Sequence, residues 1–377
     1  MDPRSKSSSP NSRIDGIDAL RTLAILFVLM NHVNVRLSIA KVPFKQGLPH
    51  NLVHELFYNG QNGVRIFFAV SGALITSMAI RRWWSLEKVD LRRFYVFRFA
   101  RITPLLLILL AVLSALHFLG FKDFVVTEKR GGFWNALLAA LTFHINWRES
   151  QTGYLPGNWD ILWSLSVEEV FYLGFPVVCR WVRGGWLIGL LGGFVAIGPF
   201  ARTVLAKGHP LWADYSYLSG MDAIALGCLT AIFLAGRELP RWALWASGVA
   251  GVGMMAAVLG FSIPVLDKSG LDMTVLAIGT CLLIVPAVQT GVRVVAPLIW
   301  LGQRSYEVYL THMFVVFAFF NWFVAAGKPT WAVPWLFGVT ILVAALLGEF
   351  VARLYSEPMN YWLRDRSGCA QAISPRQ

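Results

Sequence analysis

Residues 17–35 read Ile17-Asp-Ala-Leu-Arg21-Thr-Leu-Ala-Ile-Leu-Phe-Val-Leu-Met-Asn-His32-Val-Asn-Val35. The middle of this stretch is apolar enough to cross a bilayer, yet it carries an arginine at one end and a histidine at the other. Eleven residues at about 100° and about 1.5 Å each place Arg21 and His32 within roughly 20° of one helical face, about 16 Å apart. Ionisable groups at membrane depth are costly, so they face a protein interior or a cavity and mark a working site. Histidine also exchanges protons near neutral pH.

The rest of the chain repeats the apolar pattern. Of 377 residues, 56% are hydrophobic and 14% charged, and the mean hydropathy is +0.58. Ten apolar runs of bilayer length fall near 17–36, 64–83, 101–120, 161–181, 185–203, 215–235, 242–262, 271–290, 302–325 and 332–355. The fold class is all-α, a polytopic transmembrane bundle of about ten spans. Residues 133–145 are apolar but too short to cross, which predicts a re-entrant or interfacial helix. The organisation expected is a disordered cytoplasmic tail at 1–13, a membrane domain at 14–362 and a second cytoplasmic tail at 363–377.

Charge orients the bundle. The net charge is +12. In a soluble chain that would point to nucleic acid; here Lys and Arg collect at the cytoplasmic ends of helices. With both termini inside, 20 of the 33 Lys and Arg lie on the inner side and 12 on the outer, with Arg21 inside a span. An eleventh span at 133–145 fits this bias worse. The four cysteines, Cys179, Cys228, Cys281 and Cys369, form no Cys-x-x-Cys pair, so neither a disulfide framework nor a metal site is expected. No internal repeat points to a transporter.

Four further constellations could carry chemistry. Arg98 and Arg101 are i,i+3 neighbours, and their guanidinium forks suit phosphate oxygens. Ordinary positive-inside charge accounts for Arg92 and Arg93, and for Arg98 and Arg101 it stands level with the phosphate reading. In Trp163-Ser-Leu-Ser-Val-Glu168-Glu169, two acids enter a span together. Ser164 as a helix N-cap accounts for one of them better than for two. Ser71-Gly72 favours close helix packing over a nucleophile. Glu307, Thr311 and His312, with Asp222 and Glu349, fit either a site or buried polar contacts between helices.

Taken in order, these segments resemble acyltransferase family 3, from about Ile14 to Trp362. The motifs are Asp18-Ala-Leu-Arg21 with His32, Gly63-Val with Phe67-Phe68 and Ser71-Gly72, Arg98-x-x-Arg101 before Pro104, Trp163-Ser-Leu-x-Val-Glu168, and Leu301-Gly with Ser305-Tyr and Tyr309-Leu-x-His312. The resemblance implies about ten helices with both termini cytoplasmic. It also implies transfer of an acyl group, often acetyl, from acyl-CoA to a hydroxyl of a glycan, lipid-linked sugar or small molecule. On it, Arg21 and His32 are the essential pair, and Arg98 and Arg101 belong to the donor site. His32 is the expected general base. Glu168 is expected to orient that imidazole or to serve the acceptor. This chain departs from the family in having Ala19 for Gly, Arg65 for Asp and Glu169 for Gln. The expected partners are the lipid bilayer, acyl-CoA and the acceptor, and the expected location is a bacterial inner (plasma) membrane. The rival is a secondary transporter or proton-coupled flippase using the same buried groups as a relay.

Overall fold

The computed structural model describes residues 12–46, 49, 53, 57–261, 263–290 and 294–368. Most of the two expected tails, 1–11 at one end and 369–377 with Cys369 at the other, lies outside the described residues. The described residues are largely helical and include ten segments long and apolar enough to cross a membrane. In chain order the helices are α1 (Ser12–Ile39), α2 (Gly60–Trp83), α3 (Leu91–Phe118), α4 (Phe133–Leu141), α5 (Ile145–Thr152), α6 (Gly157–Asp160), α7 (Leu162–Trp181) and α8 (Gly185–Phe200). They continue with α9 (Pro210–Tyr215), α10 (Tyr217–Leu234), α11 (Arg241–Gly260), α12 (Pro264–Ser269), α13 (Asp272–Gln289), α14 (Ala296–Gln303), α15 (Ser305–Ala325), α16 (Val333–Val351) and α17 (Glu357–Arg366). Helix α4 is a short side helix, with Trp134, Leu138 and Leu141 exposed and Ala136, Ala139 and Ala140 buried.

Helices α1, α2 and α10 form the centre, and α8 and α11 lie at the rim. Small residues bring the central helices together, because lipid offers no hydrophobic drive between them. A Cβ on Gly72 would strike the Ile224 carbonyl, and one on Gly227 would strike the Ala69 carbonyl. Both glycines therefore permit backbone contact between α2 and α10. Exposed tryptophans cluster at the two ends of the bundle. Trp84, Trp181, Trp186 and Trp242 mark the end at which α1 begins, and Trp134, Trp322, Trp331 and Trp335 the opposite end. Amphipathic rings of this kind sit at headgroup level.

Two expectations need correction. The third span begins at Leu91, ten residues before the predicted start. The Asp90 carboxylate caps it by accepting the Arg93 N–H at 3.0 Å, and Arg98 is neutralised inside the bundle, so its charge does not end the helix. Arg65 and Arg202, assigned from sequence to the outer side, are not surface charges. Arg65 is fully buried and donates to the Ser219 and Asp214 carbonyls. Arg202 pairs with Asp222 at 2.9 Å and bonds Thr274. Asp222 is thus a partner in a structural network between α2, α10 and α13.

Candidate active site

A cavity of about 320 Å³ opens among α1, α2, α3, α7, α15 and α17. Ligand pockets run from about 300 to 1,000 Å³, so this one is at the narrow end. Phe94, Phe97, Met78, Ile75 and Leu74 give it apolar walls, and Arg21, Arg98, Arg101 and Arg364 give it cations. Ser71, Ser164, Glu168, Ser305, Tyr306 and Tyr309 complete the polar lining.

Each arginine is held differently. Arg21 bonds Asp18 at 3.3 Å, one turn earlier on α1. Asp18 is buried because Gly302 of α14 lies against its backbone, closer than any Cβ would permit. Arg98 reaches two carboxylates with one nitrogen, Glu169 at 2.5 Å and Glu168 at 3.2 Å. Its guanidinium lies 4.2 Å from the Tyr172 ring centre. Arg101 pairs with Glu307 at 3.1 Å and lies 5.1 Å from the Tyr306 ring centre. Arg364 sits 5.0 Å from the Phe97 ring centre and has no carboxylate partner among the described residues. Helix α17 folds back onto α3 and carries Arg364 into the wall, a consequence of tertiary packing that no local pattern announces.

Serine 164 is not an N-cap. Helix α7 begins at Leu162, and the Ser164 hydroxyl lies 2.6 Å from that of Tyr309 and also bonds the Ile161 carbonyl. Glu168 makes no hydrogen bond to His32 among the described residues. Its Oε1 accepts from the Ser71 hydroxyl and from Arg98, because a full cationic charge attracts a carboxylate more strongly than a neutral ring does. Ser71, expected only to pack, lines the cavity through this bond, while its neighbour Gly72 does the packing.

The imidazoles lie one step beyond the cavity. His312 is fully buried, 5.9 Å from the Tyr309 ring centre and 5.0 Å from that of His32. Its Nδ1 is 2.7 Å from the Tyr309 carbonyl. A carbonyl only accepts, so Nδ1 carries the hydrogen and Nε2 presents a lone pair; that atom is buried without a partner. His32 is half-buried and faces this second ring. The structure therefore gathers Arg21, Arg98, Arg101 and Glu168 around one cavity and leaves His32 outside its lining, beside His312. Sequence reasoning missed Arg364, met Tyr309 only within a family motif and left His312 undecided, although Tyr309 and His312 stand one helical turn apart. Glu349 is elsewhere: it clamps Arg304 at 2.5 Å and the Trp300 indole at 2.9 Å. Among the described residues no three His, Cys, Asp or Glu side chains converge as a metal site.

Comparison with known proteins adds a lineage. A family model described as an acyltransferase domain, that of acyltransferase family 3, matches residues 14–351. O-acetyltransferase OatA of Staphylococcus aureus is 23% identical over 377 residues, covering 92% of this chain and 57% of OatA. Two provisionally named S. aureus O-acetyltransferases, SACOL0978 and SAS0844, are also 23% identical, covering 90% and 89% of this chain and 56% of their own lengths. The chain thus spans just over half the length of these curated relatives. No solved structure matches it.

Proposed function

The chain belongs to acyltransferase family 3, and from that premise we propose that it is a membrane O-acetyltransferase drawing on acyl-CoA. The observation that carries this reading is a succession of neighbours. Tyr309 lines the arginine-bearing cavity, its ring centre lies 5.9 Å from that of His312, and His312 lies 5.0 Å from His32. Coenzyme A is a polyanion with a long, largely apolar arm. The cavity offers three guanidinium groups for the phosphates, and a fourth with aromatic walls for the arm. Arg98, Arg101 and Arg364 hold the phosphates, and Arg21 holds the arm. Arg21 is about 16 Å along α1 from His32, a distance an extended pantetheine arm bridges. That separation supports binding of the donor arm by Arg21 over an action at the reacting carbonyl.

His32 is the general base. Its ring nitrogen takes the proton of the acceptor hydroxyl as the oxygen attacks the thioester carbonyl. The carbon–sulfur bond breaks, the thiolate leaves, and the proton passes from His32 to sulfur. The products are an ester and a free thiol. His312, held by the Tyr309 carbonyl, fixes the position of the His32 ring. A glycan, lipid-linked sugar or small-molecule alcohol supplies the hydroxyl, and a bacterial inner membrane with both termini cytoplasmic supplies the setting.

The test is direct. Purified protein in nanodiscs receives radiolabelled acetyl-CoA and a panel of hydroxyl acceptors. Label on an acceptor that disappears in the folded His32→Ala variant supports the reading. Full transfer by that variant, or substrate counterflow without label movement, overturns it.

A further inference from the structure

The lining of the cavity stops short of the histidines at one tyrosine. Along α15 it runs through Ser305, Tyr306, Tyr309 and Leu310, and His312 stands two residues further on, outside it. Along α7 it runs from Glu168 to Ser164 and goes no further. On α2 it reaches from Met78 to Val64, about 21 Å of helix at about 1.5 Å per residue. The Val64 end is the one nearer the histidines, because Gly60, one turn beyond it, packs directly on Asn31, the neighbour of His32.

Tyr309 is clamped at that end. Its hydroxyl donates to the Ile161 carbonyl at 2.9 Å and lies 2.6 Å from the Ser164 hydroxyl. Ser164 bonds the same carbonyl at 3.3 Å, so the ring is tied to the start of α7. Phe67 of α2 meets it nearly edge-on, with ring centres 6.2 Å apart, and the His312 ring centre lies 5.9 Å away. The lining beside it is close-packed: Val64, Leu165 and Leu310 are buried. A packed interior resists even one added methylene. The thioester carbonyl has to come to this end, because the general base lies on this side. The carbons behind that carbonyl then have only the space that the Tyr309 ring leaves, in a cavity of about 320 Å³ that must also hold the pantetheine arm.

We propose that Tyr309 sets the length of the acyl group: pinned through its hydroxyl, its ring leaves room for acetyl and turns away butyryl and longer chains. This rests on the acyl-CoA reading above and adds which side chain decides the acyl group. One methylene more or less in an apolar pocket is worth about 10–200-fold in discrimination, so a single fixed ring suffices.

The experiment needs no acceptor. The full chain in nanodiscs binds radiolabelled acetyl-CoA, and unlabelled acetyl-CoA, butyryl-CoA and free CoA compete for it. The variants are Tyr309→Leu, which removes the ring, and the near-isosteric Tyr309→Phe, which keeps the ring and its packing but cuts its tether. Wild type should prefer acetyl-CoA to butyryl-CoA by about tenfold or more. Tyr309→Leu should erase or reverse that preference with the affinity for free CoA unmoved, and Tyr309→Phe should lose part of it. A merely structural role would move all three ligands together. Wild-type protein that binds free CoA and both thioesters equally well overturns the proposal alone. So does a preference unchanged in Tyr309→Phe, or in Tyr309→Leu with free-CoA binding intact. Wild-type protein that binds neither CoA nor its thioesters defeats the acyl-CoA reading, and the proposal with it.

Discussion

The rings of His32 and His312 face each other at 5.0 Å, centre to centre, tilted by 51°, although they come from the first and ninth spans. The pair is asymmetric. His312 has its Nδ1–H committed to the Tyr309 carbonyl, whereas His32 makes no hydrogen bond to its ring among the described residues and is the more exposed. Loss of a general base costs about 10²–10⁴ in rate. His32→Ala should lower kcat by that order and leave the KM for acetyl-CoA alone. His312→Ala should lower kcat less, and His312→Asn, which keeps a nitrogen donor for the Tyr309 carbonyl, should recover part of the loss. Single-turnover transfer measures all three. Wild-type kcat in His312→Ala would remove the pairing from the mechanism.

Arg98 holds Glu168 and Glu169 together. Its removal strands two adjacent carboxylates in a largely buried setting, and breaking a buried pair costs about 3–5 kcal/mol. Arg98→Ala should therefore drop the thermal midpoint in detergent and reduce the folded yield. The triple variant with Glu168→Gln and Glu169→Gln should regain the midpoint but not the donor affinity. Equal stability of Arg98→Ala and wild type would contradict the pairing.

Arg364 offers the cleanest separation of binding from stability. With no carboxylate to strand, Arg364→Ala should leave the thermal midpoint nearly unchanged. The KM for acetyl-CoA should rise about tenfold, equivalent to about 1.4 kcal/mol, with kcat preserved. A donor titration that shows no change in KM would take Arg364 out of the donor site.

Gly302 lies where a methyl group would collide with the Asp18 backbone. Gly302→Ala must push α14 from α1, and overpacking of this kind costs about 1–3 kcal/mol. Because Asp18 anchors Arg21, the variant should also bind acetyl-CoA more weakly. Gly253 has open space at its Cβ position and is the control: Gly253→Ala should hold or raise the midpoint, since glycine inside a helix is unfavourable by about 0.5–1 kcal/mol.

Glu149 gives a pH dependence with a definite sign. Its folded-state pKa is raised, by burial first and then by Asp160. The folded chain thus keeps this proton to a higher pH than the unfolded chain, whose glutamate titrates near about 4.3. The contribution to stability is full below that value and is lost as pH rises through the folded-state pKa. Glu149→Gln should flatten the fall in thermal midpoint as pH rises above about 4.3. A slope identical to wild type in differential scanning fluorimetry would rule out a buried, protonated Glu149.

Ten spans, their order and the candidate arginines were legible because each depends on local properties. An apolar run of bilayer length must be a helix, since lipid leaves no other way to satisfy the backbone. The spacing of Arg21 and His32, or of Arg98 and Arg101, follows from helical pitch alone. What each polar residue touches is a different matter. Periodicity along one helix carries no information about the partner across the interface. Hence Glu168 met Arg98 and Ser71 instead of His32, Asp222 met Arg202, and Glu307 met Arg101. Arg364 entered the cavity only because α17 turns back on α3. The sequence by itself determined that this chain is a membrane helix bundle with ionisable groups at depth. Only the tertiary structure decided that four arginines share one cavity and that His32 and His312 stand face to face, because those contacts join residues that only interhelical packing brings together.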